Sequence, residues 1–208
     1  MENPCLTFVT PALIAGDKSL ANVISHEISH SWTGNLVTNQ NWQNFWLNEG
    51  FTTFLQRKIT EIVYGDEMLN LEAKIGYAGM AADIKNYGET NSYTSLYPDV
   101  KQNDPDDAFS SIPYEKGFTF LYYLQSLVGK ANFQIVMQYY IKTYRYQSVN
   151  TLDFKNAFVL QVNNIYPSEQ RDKILNQIDW DTWITKAGFP IITFDYCKIL
   201  INFSFYFN

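Results

Sequence analysis

The chain has 208 residues, 46% of them hydrophobic and 17% charged, enough apolar material for one folded domain and too much for a disordered or low-complexity segment. Fifteen Lys and Arg against 21 Asp and Glu leave a net charge of −6, which argues against nucleic acid or an anionic membrane surface as partner. Cys5 and Cys197 are too few for a disulfide scaffold, and no apolar run reaches the ~18 residues of a membrane span. The first residues carry no basic group before Lys18 and are broken by proline, unlike a signal peptide. The expectation is a soluble, cytoplasmic protein whose abundant aromatics (17%) fill its core.

Residues 3–9 (NPCLTFV) read as a short strand ended by Pro11. Ser19 caps a helix to about Trp32, with Leu20, Val23, Ile24, Ile28 and Trp32 at helical spacing. Residues 34–41 read as loop. A second helix starts near Gln43 or Asn44 and ends at Gly65, its buried stripe traced by Leu47, Phe51, Phe54, Leu55, Ile59 and Ile62. A third spans 67–87. Residues 89–113 form a long polar loop of the kind that carries function. Helices then cover 114–128, 131–146, 151–164, 168–177 and 179–187, and the remainder is extended or irregular. The chain is therefore mainly helical, with a strand remnant at its front.

The two histidines stand four apart in His26-Glu27-Ile28-Ser29-His30. On a helix this spacing puts both imidazoles on one face, where they can meet one metal ion. Zn²⁺ accepts neutral imidazole and, when catalytic, keeps one position open. Glu27 is placed to reach water at the metal rather than the metal itself. A third ligand is required. Glu49, in Trp46-Leu47-Asn48-Glu49-Gly50, follows His30 after 18 intervening residues and sits among large apolar neighbours, where a charge needs a partner. A carboxylate there completes a His₂Glu site, and Gly50 permits close backbone approach beside it.

Four segments carry a resemblance: MENPCLTFVTP at 1–11, NVISHEISHSWTGNLVTN at 22–39, FWLNEGFT at 45–52 and SSIPYEKGF at 110–118. Taken in this order, they make residues 1 to about 196 resemble the catalytic domain of the zinc aminopeptidases (gluzincins). The Pro-Tyr-Glu-Lys-Gly form at 113–117 points to the branch of leukotriene A(4) hydrolase and aminopeptidase B. The resemblance implies a thermolysin-like, mainly α catalytic domain over 1–196, its sheet lobe truncated, followed by a divergent tail at 197–208. It implies one Zn²⁺ per chain, with Glu27 as general base and Tyr114 on the tetrahedral oxyanion. Glu2 would bind the substrate α-amine, and the partner would be a peptide with a free N-terminus. Asp106 matches an acid linked to basic N-terminal residues, and Glu115 neighbours the tyrosine as a substrate contact or support. From the residues alone, Glu2 is an unremarkable acid, Tyr114 a core aromatic, Asp106 a solvated loop acid and Glu115 a first-turn acid facing the helix dipole.

The departures from the family also set expectations. The glycines that precede the Met-Glu-Asn strand and the rest of the family's sheet are absent, so Leu6, Phe8 and the stripe of the first helix should be exposed. The flanking N- and C-terminal domains of the full-length enzymes lie outside this chain. Phe109 stands where leukotriene A(4) hydrolase has a tyrosine, which removes a hydroxyl from the epoxide chemistry but not from the peptidase chemistry. CKILINFSFYFN at 197–208 does not resemble the family and is β-prone. The leading reading is a zinc aminopeptidase. The alternatives are a catalytically inactive zinc-binding fragment with a binding or regulatory role, and a structural zinc module. The last is disfavoured because no fourth protein ligand is evident.

Overall fold

The computed structural model describes residues 1–101 and 104–190. Among them, helices α1 (Ala21–Ser29), α2 (Trp46–Tyr64), α3 (Asp66–Tyr87), α4 (Ile112–Val128), α5 (Lys130–Tyr144), α6 (Thr151–Ile165), α7 (Ser168–Leu175) and α8 (Trp180–Thr185) dominate. Strands β1 (Val37–Asn39) and β2 (Gln147–Val149) pair in parallel, with Thr38 opposite Ser148. Gly65 and Gly129, both at positive φ, turn the chain between α2 and α3 and between α4 and α5.

Helix α4 is the centre of the molecule. Phe118, Phe120, Leu121 and Leu124 are all buried, so it is enclosed on several faces by α2, α3 and α5. The core is aromatic, as the composition predicts. Phe51 of α2 meets Phe154 of α6 edge-on at 4.8 Å, and Phe120 stacks on Trp183 of α8 at 4.9 Å. Helices α2 and α4 touch backbone to backbone. A Cβ on Gly50 would lie 2.8 Å from the Cα of Gly117, so both positions exclude any side chain.

The helical periodicity matches the structure closely from α2 onward, and five expectations change. Residues 3–9 are not a strand. The N–H of Leu6 donates to the carbonyl of Asn3 and that of Phe8 to the carbonyl of Met1, folding the segment back on itself. Among the described residues no strand offers it a ladder, and β-propensity alone does not make one. Ser19 does not cap α1: the helix begins at Ala21, and Leu20, whose side chain has no acceptor for the free N–H groups, stands at its N-cap position. Trp32 lies beyond the end of α1, in the turn that returns to β1. Part of the 34–41 loop is β1, too short to show a period and paired with a strand far along the chain. Ile59 and Ile62 are exposed at 39% and 83%, while Arg57 and Thr60 occupy the buried face of α2. The expected apolar exposure is present: Leu6, Phe8, Ile24 and Ile28 all face outward. No helix among the described residues is long and apolar enough to cross a membrane. The 196/197 boundary and the 197–208 tail lie outside the described residues.

Candidate active site

Helix α1, with His26 in its last turn and His30 at its C-cap, delivers both histidines to one point. Their Nε2 atoms are 3.2 Å apart, with the rings nearly perpendicular. Each ring is fixed from behind. His30 Nδ1 lies 3.0 Å from the carbonyl of Thr33, which can only accept, so Nδ1 carries the proton and Nε2 turns its lone pair inward. His26 Nδ1 has the side-chain oxygen of Gln56, on α2, at 3.0 Å, with the same consequence. The turn beyond His30 closes on Gly34, at φ +146°, where a Cβ would lie 2.9 Å from His30 Nδ1. The seat of this ring therefore requires glycine.

Glu49 enters from the first turn of α2 and is buried. Its Oε2 lies 3.3 Å from both imidazole Nε2 atoms and makes no hydrogen bond. Three lone-pair atoms thus form a nearly equilateral triangle. Ligands about 2.0–2.1 Å from a tetrahedral Zn²⁺ stand about 3.3–3.4 Å apart, so the triangle matches one face of such a site. Nothing else within the trio neutralises the converging lone pairs. The donor set therefore fits a cation. The electrostatics agree: burial disfavours a charge on His30, yet Glu49 holds it above its ordinary value. Burial likewise opposes the charge on Glu49, and the two histidines hold its carboxyl below the usual range.

A carboxylate edge flanks the trio. One ligand-type atom from each of Glu2, Glu27 and His30 falls within 4.8 Å of the others. Glu27 Oε2 is 2.9 Å from the α-amine of Met1 but makes no well-formed hydrogen bond. The side chain of Asn35 holds the Glu2 carbonyl at 2.7 Å, tying residue 2 to the turn after α1. Tyr114, in the first turn of α4, stacks on His26 at 5.9 Å and is braced by the edges of Phe45 and Phe109. Burial pushes its phenol well up, and Glu49, Glu2 and Glu27 push it further, so it keeps its proton and remains a donor.

Glu2, His26, Glu27, His30, Glu49 and Tyr114 line one cleft of about 460 Å³, with Asp106 exposed at its rim. Trp42, Phe45, Leu96, Pro98 and Val100 contribute to an apolar wall that the spacing arguments did not identify. Glu115 is not among the lining residues. Its carboxylate faces the other way and is held by Arg57. Lys116 is buried and donates to the carbonyls of Thr94, Lys186 and Gly188, joining the cleft wall to the end of α8.

The peptidase family M1 domain matches residues 1–183. The chain belongs to peptidase family M1. Its curated relatives include leucine aminopeptidase 2 of Coccidioides immitis, 44% identical over 91% of this chain. The leukotriene A-4 hydrolase homolog of Botryotinia fuckeliana is likewise 44% identical over 91%. The chain spans 30% and 29% of their lengths. Among solved structures, yeast LTA4 hydrolase in complex with bestatin superposes with a TM-score of 0.86 at 38% identity, over 93% of this chain and 30% of that one. An M1 zinc metallopeptidase from Deinococcus radiodurans shares the fold, with a TM-score of 0.63 at 22% identity over 91% of this chain and 37% of that one. The M1 likeness thus extends over nearly all of the described helices as well as the histidine motif.

Proposed function

We propose that the chain is the catalytic core of a zinc aminopeptidase. The observation that carries the reading is the unbonded Oε2 of Glu49, 3.3 Å from two imidazole nitrogens whose protons point away. His26, His30 and Glu49 would hold the metal, one ion per chain. When bound, zinc supplies a Lewis acid that polarises a carbonyl and acidifies water. Glu27 takes a proton from the attacking water and returns it to the leaving amine. Tyr114, kept protonated by its surroundings, donates to the developing oxyanion. Glu2 pairs with the ammonium of the substrate and so restricts cleavage to the first residue. Asp106, at the rim, meets a basic side chain there. Glu115 supports the site from behind rather than touching substrate. A second reading, an inactive zinc-binding fragment that docks elsewhere, is favoured by one observation: the apolar side chains exposed along α1 and residues 6–8.

Arylamide turnover separates the two readings. The zinc-loaded chain should release arylamine from arginyl- and alanyl-arylamides, and Glu27→Gln should reduce this by about 10²-fold or more. Full zinc occupancy without turnover would instead support the inactive fragment.

A further inference from the structure

The carboxylate of Glu115 sits in a slot built by three helices. Arg57 of α2 grips it with two parallel hydrogen bonds, Nη1 to Oε2 at 2.8 Å and Nη2 to Oε1 at 2.9 Å. On the α3 side, Gly76 leaves the space. A Cβ there would lie 2.1 Å from Glu115 Oε2, so any other residue would displace the carboxylate. The guanidinium is itself oriented by two further contacts. Nη2 donates to the Glu72 carbonyl at 3.1 Å, and the Phe118 ring lies beneath at 4.2 Å. Arg57 is 3% exposed.

A buried ion pair contributes little net stability, because desolvation offsets the attraction, but it can fix a geometry. The geometry here concerns two helices that each carry a residue of the proposed site. Arg57 lies two turns beyond Glu49 on α2, and Glu115 is adjacent to Tyr114 on α4. The Gly50–Gly117 contact is a pivot between these helices but does not by itself set their rotation. The Arg57–Glu115 fork adds a directional contact displaced from that pivot, beside the aromatic contacts of Trp46 with Phe120 and Phe54 with Phe118.

We infer that Arg57 and Glu115 are positioning residues that hold the Tyr114 ring over the histidine pair. This rests on the zinc reading above. It assigns Arg57 a role with no direct contact to metal or substrate. Arg57 is suited to this because the fork is bidentate, and lysine could offer only one of the two bonds.

The test places 3-fluorotyrosine at position 114 of the full chain and reads its ¹⁹F relaxation with Co²⁺ in the site. Paramagnetic enhancement falls with the inverse sixth power of distance, so it reports the position of the ring independently of turnover. The enhancement should be strong with Arg57 and Glu115 intact. It should drop severalfold in Arg57→Met and in the isosteric Glu115→Gln, with Co²⁺ stoichiometry and helical circular dichroism unchanged. Arg57→Lys should fall between. Strong enhancement in both folded variants would overturn the positioning role alone. Absence of Co²⁺ uptake or enhancement in the unaltered pair would overturn the metal reading, and this inference with it. Unfolding of both variants would make the pair a folding determinant and would also overturn it.

Discussion

Each imidazole of the trio is oriented by a different acceptor, a backbone carbonyl behind His30 and the Gln56 amide behind His26. Partners of this kind set tautomer and aim, and removing one typically weakens metal binding by about 10–100-fold. Gln56→Leu should therefore lower zinc affinity by about that factor, read by competition with a chromophoric chelator, while the unfolding midpoint hardly moves. An unchanged affinity would mean that the His26 ring is held by packing against Tyr114 instead. The convergence of the histidine pair was legible because a four-residue spacing encodes one helix face. Gln56, Thr33 and Gly34 were not, since their roles exist only where the folded chain returns to the rings. Glu115 shows the opposite difficulty. Its adjacency to Tyr114 left a substrate contact and a supporting role both open, because sequence adjacency does not say which way a side chain points when neighbouring helix positions lie about 100° apart.

At the scale of elements, the Pro-Tyr-Glu-Lys-Gly turn of α4 gives each of its last four residues a separate anchor. Tyr114 faces the trio, Glu115 meets Arg57, Lys116 meets three carbonyls and Gly117 meets Gly50. Gly117→Ala would force a methyl into a backbone contact, an overpacking that costs about 1–3 kcal/mol, visible as a lower denaturant midpoint. Lys116 makes the pH dependence specific. Burial, with Lys186 nearby, pushes its ammonium down to about 8, against an ordinary value of 10.5. Between these pH values the unfolded chain binds more protons than the native one, so this group makes stability rise with pH across that window. The rise should amount to at most about 3 kcal/mol and should disappear in Lys116→Met, measured as the difference between the two unfolding curves from pH 8 to 10.5. The parallel slopes expected without such a shift would contradict it. Helix positions from α2 onward were readable from apolar period. The β1–β2 pair was not, because three residues carry no period and the partner strand is remote in sequence.

At the scale of the molecule, the aromatic core around α4 supports a cleft whose corner proposed to hold the metal is assembled almost entirely from α1, His30 at its end and the start of α2. The same α1 that, with its C-cap, presents His26 and His30 inward presents Ile24 and Ile28 to the outside. The composition forecast the core and the four motifs forecast the family. The apolar wall of Phe45, Leu96 and Pro98 was not readable, because it joins α2 to a loop with no period of its own. The central claim is that His26, His30 and Glu49 hold one zinc ion, and X-ray absorption of the chain loaded with one equivalent of zinc tests it most directly. The account predicts a nitrogen and oxygen shell at about 2.0–2.1 Å with the outer-shell scattering of two imidazoles, lost in His30→Ala. A sulfur shell at about 2.3 Å, or a spectrum unchanged by that substitution, would place the metal elsewhere and contradict it.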